Sequence, residues 1–452
     1  MADKAVIIYG AGISGRGAAE VLLRRGRQVY LYNDNPCEVE KELLDSLQAA
    51  GGGLVCGREG FKNLLGHAGL LVLSPGVPAD SDNVLLAEQS GVEAISEVEL
   101  GFRLYKGHIA AITGTNGKTT TTTIVGEMFR RLPVPSAVGG NIGLALSKEV
   151  EHLPADGWLA AELSSFQLEK VTTFCPDIAV VLNLTPDHLE RHHTMEAYGA
   201  AKKNIFARQG QRQVTVLNYD DPIVRSWAAE SKGQICYFSR KTVLDCGVFM
   251  LDGNFVIKWD NKTETVCNID ELHLFGGHNE ENILAAIACG YFAGVSAADM
   301  ADVLRSFRSM EHRLEYVATI DGVPYYNDSK ATNTDSTIKA LEAFKDGHII
   351  LLAGGHDKMT ELEPMMQVIK KKVDLLILLG EAKERFHKAA LDCGIANIRL
   401  ADSFAGAVRI AYEEAKAPQV VLLSPACSSY DMFKNYPERG RCFKKLVQEL
   451  AH

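Results

Sequence analysis

The chain has 452 residues, 46% of them hydrophobic and 23% charged, which excludes a disordered chain and predicts a soluble protein of several globular domains. Its net charge of −10 disfavours a spread basic surface for nucleic acid, so anionic ligands would need locally focused positive groups. The longest apolar run, Leu284–Val295, is broken by Gly290 and Gly294 and is shorter than the ~20 residues of a membrane helix.

The first residues, Met1-Ala2-Asp3-Lys4, lead directly into a strand, so neither a leader peptide nor membrane insertion is expected. Ten cysteines run from Cys37 to Cys442 without a CxxC pair, which predicts reduced thiols and a cytoplasmic protein. Apolar strand-like runs alternate with helical stretches along the whole chain. This predicts an α/β fold with mostly parallel sheets. Glu97–Gly107 and Ser306–Arg313 read as boundaries, giving domains 1–105, 106–309 and 310–452.

In the first segment a strand, Val6–Tyr9, precedes Gly10-Ala11-Gly12-Ile13-Ser14-Gly15. A helix follows through Ala18–Arg25, then a strand, Val29–Tyr32, ending at Asn33-Asp34. Glycines there let backbone N–H groups approach a diphosphate at a helix N-terminus, and the acid can meet a ribose or another polar group. The pattern fits a nicotinamide cofactor, another diphosphate such as a UDP-sugar, or a tight turn without a ligand.

The second segment carries stronger chemistry. Strand Ile109–Thr113 runs into Gly114-Thr115-Asn116-Gly117-Lys118-Thr119-Thr120 and a Thr-rich helix start. Such a loop cradles phosphates with backbone N–H groups, its lysine neutralises the outer phosphates, and the next hydroxyl binds Mg²⁺. Ile112 stands where the full G-x-x-x-x-G-K-[ST] pattern has its first glycine. Strand Trp158–Ala161 ends in Glu162, an acid placed to hold that Mg²⁺. Strand Ile178–Leu182 leads to Asn183–His188, with Thr185 expected as a helix N-cap, Pro186 as the first helical residue and His188 in the first turn. His192 and His193 read as surface residues. A GTPase is excluded because Asn261-Lys262-Thr263-Glu264 lacks the aspartate that reads guanine.

Taken in order, Gly114–Thr119, Glu162-Leu163-Ser164-Ser165-Phe166-Gln167, Asn183–His188, His278-Asn279, His312-Arg313 and Asn327–Asn333 resemble the Mur ligase family across essentially the whole chain. Ser74–Pro78, Leu352–Lys358, Ser424–Asp431, Phe433–Tyr436 and Arg439-Gly440 are similar to its D-glutamate-adding branch. The Asp-Asn-Pro-Arg string of the diaminopimelate-adding branch does not occur. Asp34-Asn35-Pro36 lies in the wrong domain and is followed by Cys37. Folylpolyglutamate synthase-like ligases share the Gly-Thr-Asn-Gly-Lys loop but have Gly-Ser after the lysine and lack the N-terminal domain.

The resemblance implies three domains. The first is a Rossmann-like UDP-binding domain, the second a P-loop ATP and Mg²⁺ domain, and the third a dinucleotide-fold-like domain for the amino acid that closes on the second during turnover. It implies ATP-dependent amide formation on UDP-N-acetylmuramoyl-L-alanine through an acyl phosphate, by a monomer. For ATP it implies Gly114–Thr120, with Asn279, Asn282, Arg313 and Asp328. One Mg²⁺ falls to Thr119 and Glu162, and a second to His188 and a carbamoylated Lys202. For the UDP-substrate it implies Ile13, Ser14, Asp34, Gly76, Asn141, Ser164, Gln167 and His188. For D-glutamate it implies Thr332, Lys358, Ser429, Tyr430 and Tyr436, the last standing where the family commonly has Phe.

Overall fold

The structure, a computed structural model, describes residues 4–274, 276–307, 311–344 and 347–450. Met1–Asp3 and the expected 309/310 boundary therefore lie outside the described residues. The chain forms two compact units, Met1–Glu271 with Glu281–Arg305, and Leu272–Glu280 with Ser306–His452. The expected α/β class holds: three sheets, parallel throughout or nearly so, carry the fold.

The first unit holds two of them. In the first sheet, β1 (Ala5–Tyr9), β2 (Val29–Asn33), β3 (Gly53–Cys56), β4 (Ala68–Leu73) and β5 (Glu93–Ser96) lie in the order β3-β2-β1-β4-β5, all parallel. Both faces are covered, so β1 is apolar without alternation: Val6 and Ile8 enter one core, Ile7 and Tyr9 the other. The order reverses between β1 and β4, which puts the Gly10–Gly15 turn at the crevice where such sheets bind ligands.

The second sheet has nine strands: β6 (His108–Thr113), β7 (Ser136–Gly140), β8 (Trp158–Glu162), β9 (Ile178–Val181), β10 (Val214–Asn218), β11 (Gln234–Ser239), β12 (Gly247–Leu251), β13 (Asn254–Trp259) and β14 (Lys262–Asn268). Their order is β14-β13-β12-β11-β10-β9-β6-β8-β7, with only β12-β13 and β13-β14 antiparallel. Ile112 of β6 is in register with Glu162 of β8. The phosphate loop and the acid thus leave neighbouring strands at the same edge. The apolar run from Leu284 falls in the helix Gly277–Ala293, where Ile283–Cys289 is buried. Among the described residues no helix is long and apolar enough to cross a membrane.

Two segments read from the sequence take definite form here. Glu97–Gly107, read as a boundary, is mostly a helix, Glu97–Leu104, capped by the Ser96 hydroxyl. Its acids point inward: Glu99 accepts from the backbone N–H groups of Thr172, Thr173 and Phe174, and Glu97 from that of Ser147. The helix therefore fastens the first sheet to the second. Thr185 and Pro186 do not open a helix. The Thr185 N–H donates to the Thr115 hydroxyl, which in turn donates to the Thr185 carbonyl, so tertiary bonds outcompete a local cap. The helix is Leu189–His192, and His188 stands before it in the left-handed region at φ 54°.

The second unit contains β15 (Glu315–Ile320), β16 (Val323–Asn327), β17 (Ile349–Gly354), β18 (Val373–Leu379), β19 (Ile398–Leu400) and β20 (Val420–Leu423). They lie in the order β15-β16-β20-β17-β18-β19, with only β15-β16 antiparallel. Leu351, Leu376 and Leu422 pack on one face, Ile350, Ile377 and Val421 on the other.

Candidate active site

The loop Gly114–Thr120 links β6 to the helix Lys118–Phe129. It is tied down from the side by the segment after β9. The Asn183 carboxamide accepts from the Asn116 N–H at 2.9 Å and donates to the Asn116 carbonyl at 3.2 Å. The Thr115 N–H donates to the Asn183 carbonyl. Gly117 has φ +86°, and a Cβ there would collide with Asn282 Oδ1, so only glycine fits. Asn282 also accepts from the Thr121 hydroxyl, which brings one of the expected ATP residues to the loop. Lys118 Nζ donates to the Gly114 and Thr115 carbonyls, and Thr119 is buried at the first helical turn.

Glu162 is 2% exposed. Its Oε1 accepts from Asn141 Nδ2 at 2.8 Å, whereas its buried Oε2 has no hydrogen-bond partner. A buried carboxylate oxygen without a donor is costly unless a cation completes it. This orphan oxygen, one strand from a phosphate loop, fits a Mg²⁺ site. It also puts Asn141 against the acid.

Lys202 lies in the helix Met195–Lys203 and is 1% exposed, not solvated. Its Nζ donates to the Gly114 carbonyl at 2.8 Å and sits 4.5 Å from the Tyr198 ring centre. Burial, with the Lys118 charge adding to it, pushes its pKa well below the ordinary lysine range. His188 is part-exposed, packs on the Phe166 ring, and lies 3.4 Å from Glu190 and 3.7 Å from Asp187. His192, expected at the surface, is 7% exposed, with Nε2 2.9 Å from Ser165 Oγ. Burial and the Arg191 charge lower its pKa to about 4, so it is neutral at pH 7. His193 is exposed, as expected.

Ser164 and Gln167 form a reciprocal capping box at the helix Ser165–Leu168. In the first sheet, a Cβ on Gly15 would strike the Gly10 carbonyl, while Gly76 faces open space and Ile13 is 82% exposed. Ser14 is half-buried. Asp34 is held by three donors: Tyr9 Oη at 2.6 Å, Tyr32 Oη at 2.9 Å and Asn83 Nδ2 at 3.1 Å. Burial, with the Asp34 bond adding, pushes the Tyr9 pKa up to about 12, so this hydroxyl keeps its proton and remains a donor.

In the second unit Asn279 is buried. Asp328, just after β16, accepts from the Ser424 hydroxyl at 2.8 Å and from the Leu314 N–H at 3.3 Å. Burial raises its pKa to about 7 against these bonds and the Arg313 charge. Arg313 is half-buried two residues before β15. Lys358 and Tyr430 are exposed, Thr332 is half-buried, and Ser429 is buried. The Lys358 and Ser429 loops are stitched by the His356 N–H to the Ser428 carbonyl at 3.0 Å. The Tyr436 carbonyl accepts from the Ser329 hydroxyl, and Lys330 lies over its ring.

Residues 112–290 match the model of the Mur ligase middle domain, and 312–427 that of the Mur ligase, glutamate ligase domain. A curated relative from Thermoanaerobacter sp. (strain X514), named UDP-N-acetylmuramoylalanine–D-glutamate ligase, is 42% identical over 99% of this chain and 98% of its own. A protein of the same name from Pelotomaculum thermopropionicum is 43% identical over the same shares. The chain belongs to the Mur ligase family. Within it, the full-length relatives assign the D-glutamate-adding branch.

Solved structures share this Mur ligase fold at low identity. A pseudomurein peptide ligase type C from Methanothermus fervidus superposes with a TM-score of 0.63 at 16% identity, covering 99% of this chain and 100% of that one. UDP-N-acetylmuramate-alanine ligase from Thermotoga maritima gives 0.60 at 18% identity over 99% of each.

Four residues carry no role in the sequence reading, although Asn183 and Arg439 stand in its motifs. Asn183 braces the loop. Asn83 and Tyr9 hold Asp34. Arg439, 1% exposed in the helix Tyr436–Leu450, donates to the Cys427 and Ser428 carbonyls and to Ser329. It thereby fixes the Ser424–Ser429 loop. Its place in the Arg439-Gly440 string was the available signal, but its burial was not.

Proposed function

We propose that this Mur ligase joins D-glutamate to UDP-N-acetylmuramoyl-L-alanine, cleaving ATP to ADP and phosphate for peptidoglycan precursor synthesis. The observation that carries the reading is the unmet oxygen of buried Glu162, one strand from a phosphate loop whose Gly114 carbonyl receives both Lys118 and Lys202. Family membership favours the diphosphate of a UDP-substrate over a nicotinamide at Gly10–Gly15.

In this reading the loop N–H groups and Lys118 hold the β- and γ-phosphates, while Asn279, Asn282, Arg313 and Asp328 contact the rest of the nucleotide. Thr119 and Glu162 would hold one Mg²⁺, and His188 and a carbamoylated Lys202 would hold a second. Bound there, Mg²⁺ would supply positive charge against the phosphates that Lys118 and the loop N–H groups hold. Burial supports the carbamate, because only an unprotonated amine attacks CO₂: an N–C bond forms, a proton leaves, and the lysine gains anionic oxygens. Ile13, Ser14, Asp34, Gly76, Asn141, Ser164, Gln167 and His188 seat the UDP-substrate. Its carboxylate attacks the γ-phosphorus, the bond to ADP breaks, and an acyl phosphate forms. Thr332, Lys358, Ser429, Tyr430 and Tyr436 orient D-glutamate, with the Lys358 cation against a carboxylate. Its amine adds to the acyl carbon, and the tetrahedral intermediate expels phosphate and loses a proton.

The domains in this account are 1–105, 106–309 and 310–452, working as a cytoplasmic monomer. The test is phosphate release with UDP-N-acetylmuramoyl-L-alanine, Mg²⁺ and bicarbonate, comparing D-glutamate with L-glutamate, L-lysine and meso-diaminopimelate. Release only with D-glutamate is expected. Release with another amino acid would overturn the assigned branch.

A further inference from the structure

The two sheets of the first unit meet at Arg191. Its guanidinium donates to the Pro75 carbonyl at 3.1 Å and to the Val77 carbonyl at 2.9 Å, the two oxygens that flank Gly76. The same group donates to Glu169 at 2.7 Å and lies 4.3 Å above the Phe166 ring centre. Phe166 in turn packs on His188, with ring centres 4.9 Å apart. The Arg191 N–H donates to the His188 carbonyl at 3.1 Å, so arginine and histidine share one turn of backbone.

We propose that Arg191 is a positioning residue that clamps the Pro75–Val77 turn to the His188 corner, so that seating the UDP-substrate and placing His188 are one event. This deepens, and rests on, the assignment of Gly76 and His188 to that substrate. Arg191 and Glu169 are only 17% and 15% exposed, so the pair is shielded enough for its geometry to matter. The donors of Arg191 face protein acceptors on three sides while its flat face lies on an aromatic ring. A planar fork can do this and a lysine cannot. Gly76, between the clamped carbonyls, keeps an open face for a ligand.

The experiment uses full-length Arg191→Lys and Arg191→Ala proteins. Hydrogen exchange is followed in the 74–78 and 114–118 segments, and KM is measured for the UDP-substrate and for ATP. The clamp predicts faster exchange in 74–78 alone. In Arg191→Lys it also predicts a UDP-substrate KM raised about tenfold with ATP KM changed less than about twofold. Added guanidinium should lower the raised KM in Arg191→Ala and leave the wild-type value alone. Unchanged exchange in 74–78, or an equal rise of both KM values, would overturn the clamp. If wild-type protein fails to turn over the UDP-substrate, the functional reading falls, and the exchange of the 74–78 segment still decides whether Arg191 holds that turn.

Discussion

Lys118 and Lys202 direct their side-chain nitrogens at one oxygen, the Gly114 carbonyl, from 2.9 and 2.8 Å. Two ammonium groups cannot share that position cheaply, and burial, with the Lys118 charge adding to it, holds the Lys202 pKa well below the ordinary lysine range. Lys202→Ala should lower phosphate release about a hundredfold or more, with partial recovery on adding a short carboxylate. A ¹³C-carbamate signal from ¹³CO₂ should appear in wild-type protein and vanish in the variant. Full activity in Lys202→Ala would refute the carbamate.

The Asn183 carboxamide closes the Asn116 peptide from the side with two hydrogen bonds. Asn183→Ala should weaken ATP binding about tenfold, the value of a lost buried amide pair, and leave the UDP-substrate KM nearly unchanged. Calorimetric titration with ATP checks the first, and initial rates the second.

Glu99 has no exposed side-chain surface and accepts from three backbone N–H groups, two threonine hydroxyls and Arg103. Burial alone would raise its pKa, but the Thr173 and Arg103 bonds outweigh it and hold it below the usual range. Glu99→Gln turns an amide NH₂ toward these donors and should cost about 2–4 kcal/mol. A thermal midpoint unchanged from wild type would count against this role.

Burial, with the Arg191 charge adding to it, lowers the His192 pKa from 6.5 to about 4 in the folded protein. Between those values the unfolded chain binds the extra proton. The contribution of His192 is therefore complete above pH 6.5 and is lost as pH falls toward 4, by about 3 kcal/mol. His192→Gln should flatten the stability profile in that window, measured by denaturant unfolding at pH 4.5 and 7.

The loop, Glu162 and the strand starts were legible because each depends on a local pattern: glycines where a Cβ would collide, and an acid ending an apolar run. His192 reads as exposed because Phe166 and Ser165, distant in sequence, bury it together with Tyr198. Thr185-Pro186 carries a real capping signal that reciprocal bonds to Thr115 override. Glu97–Gly107 reads as a boundary, and no local pattern announces that Glu99 meets the Thr172–Phe174 amides. Lys202 reads as a solvated lysine on charge alone and is singled out by the resemblance; only packing puts it under Gly114.

The most direct test follows ¹⁸O from the carboxylate of UDP-N-acetylmuramoyl-L-alanine during turnover with ATP and D-glutamate. The carboxylate oxygen that attacks phosphorus leaves with it, so each released phosphate should carry one ¹⁸O from a fully labelled carboxylate. Unlabelled phosphate would mean that water, not the substrate carboxylate, attacks ATP, and would contradict the acyl-phosphate account.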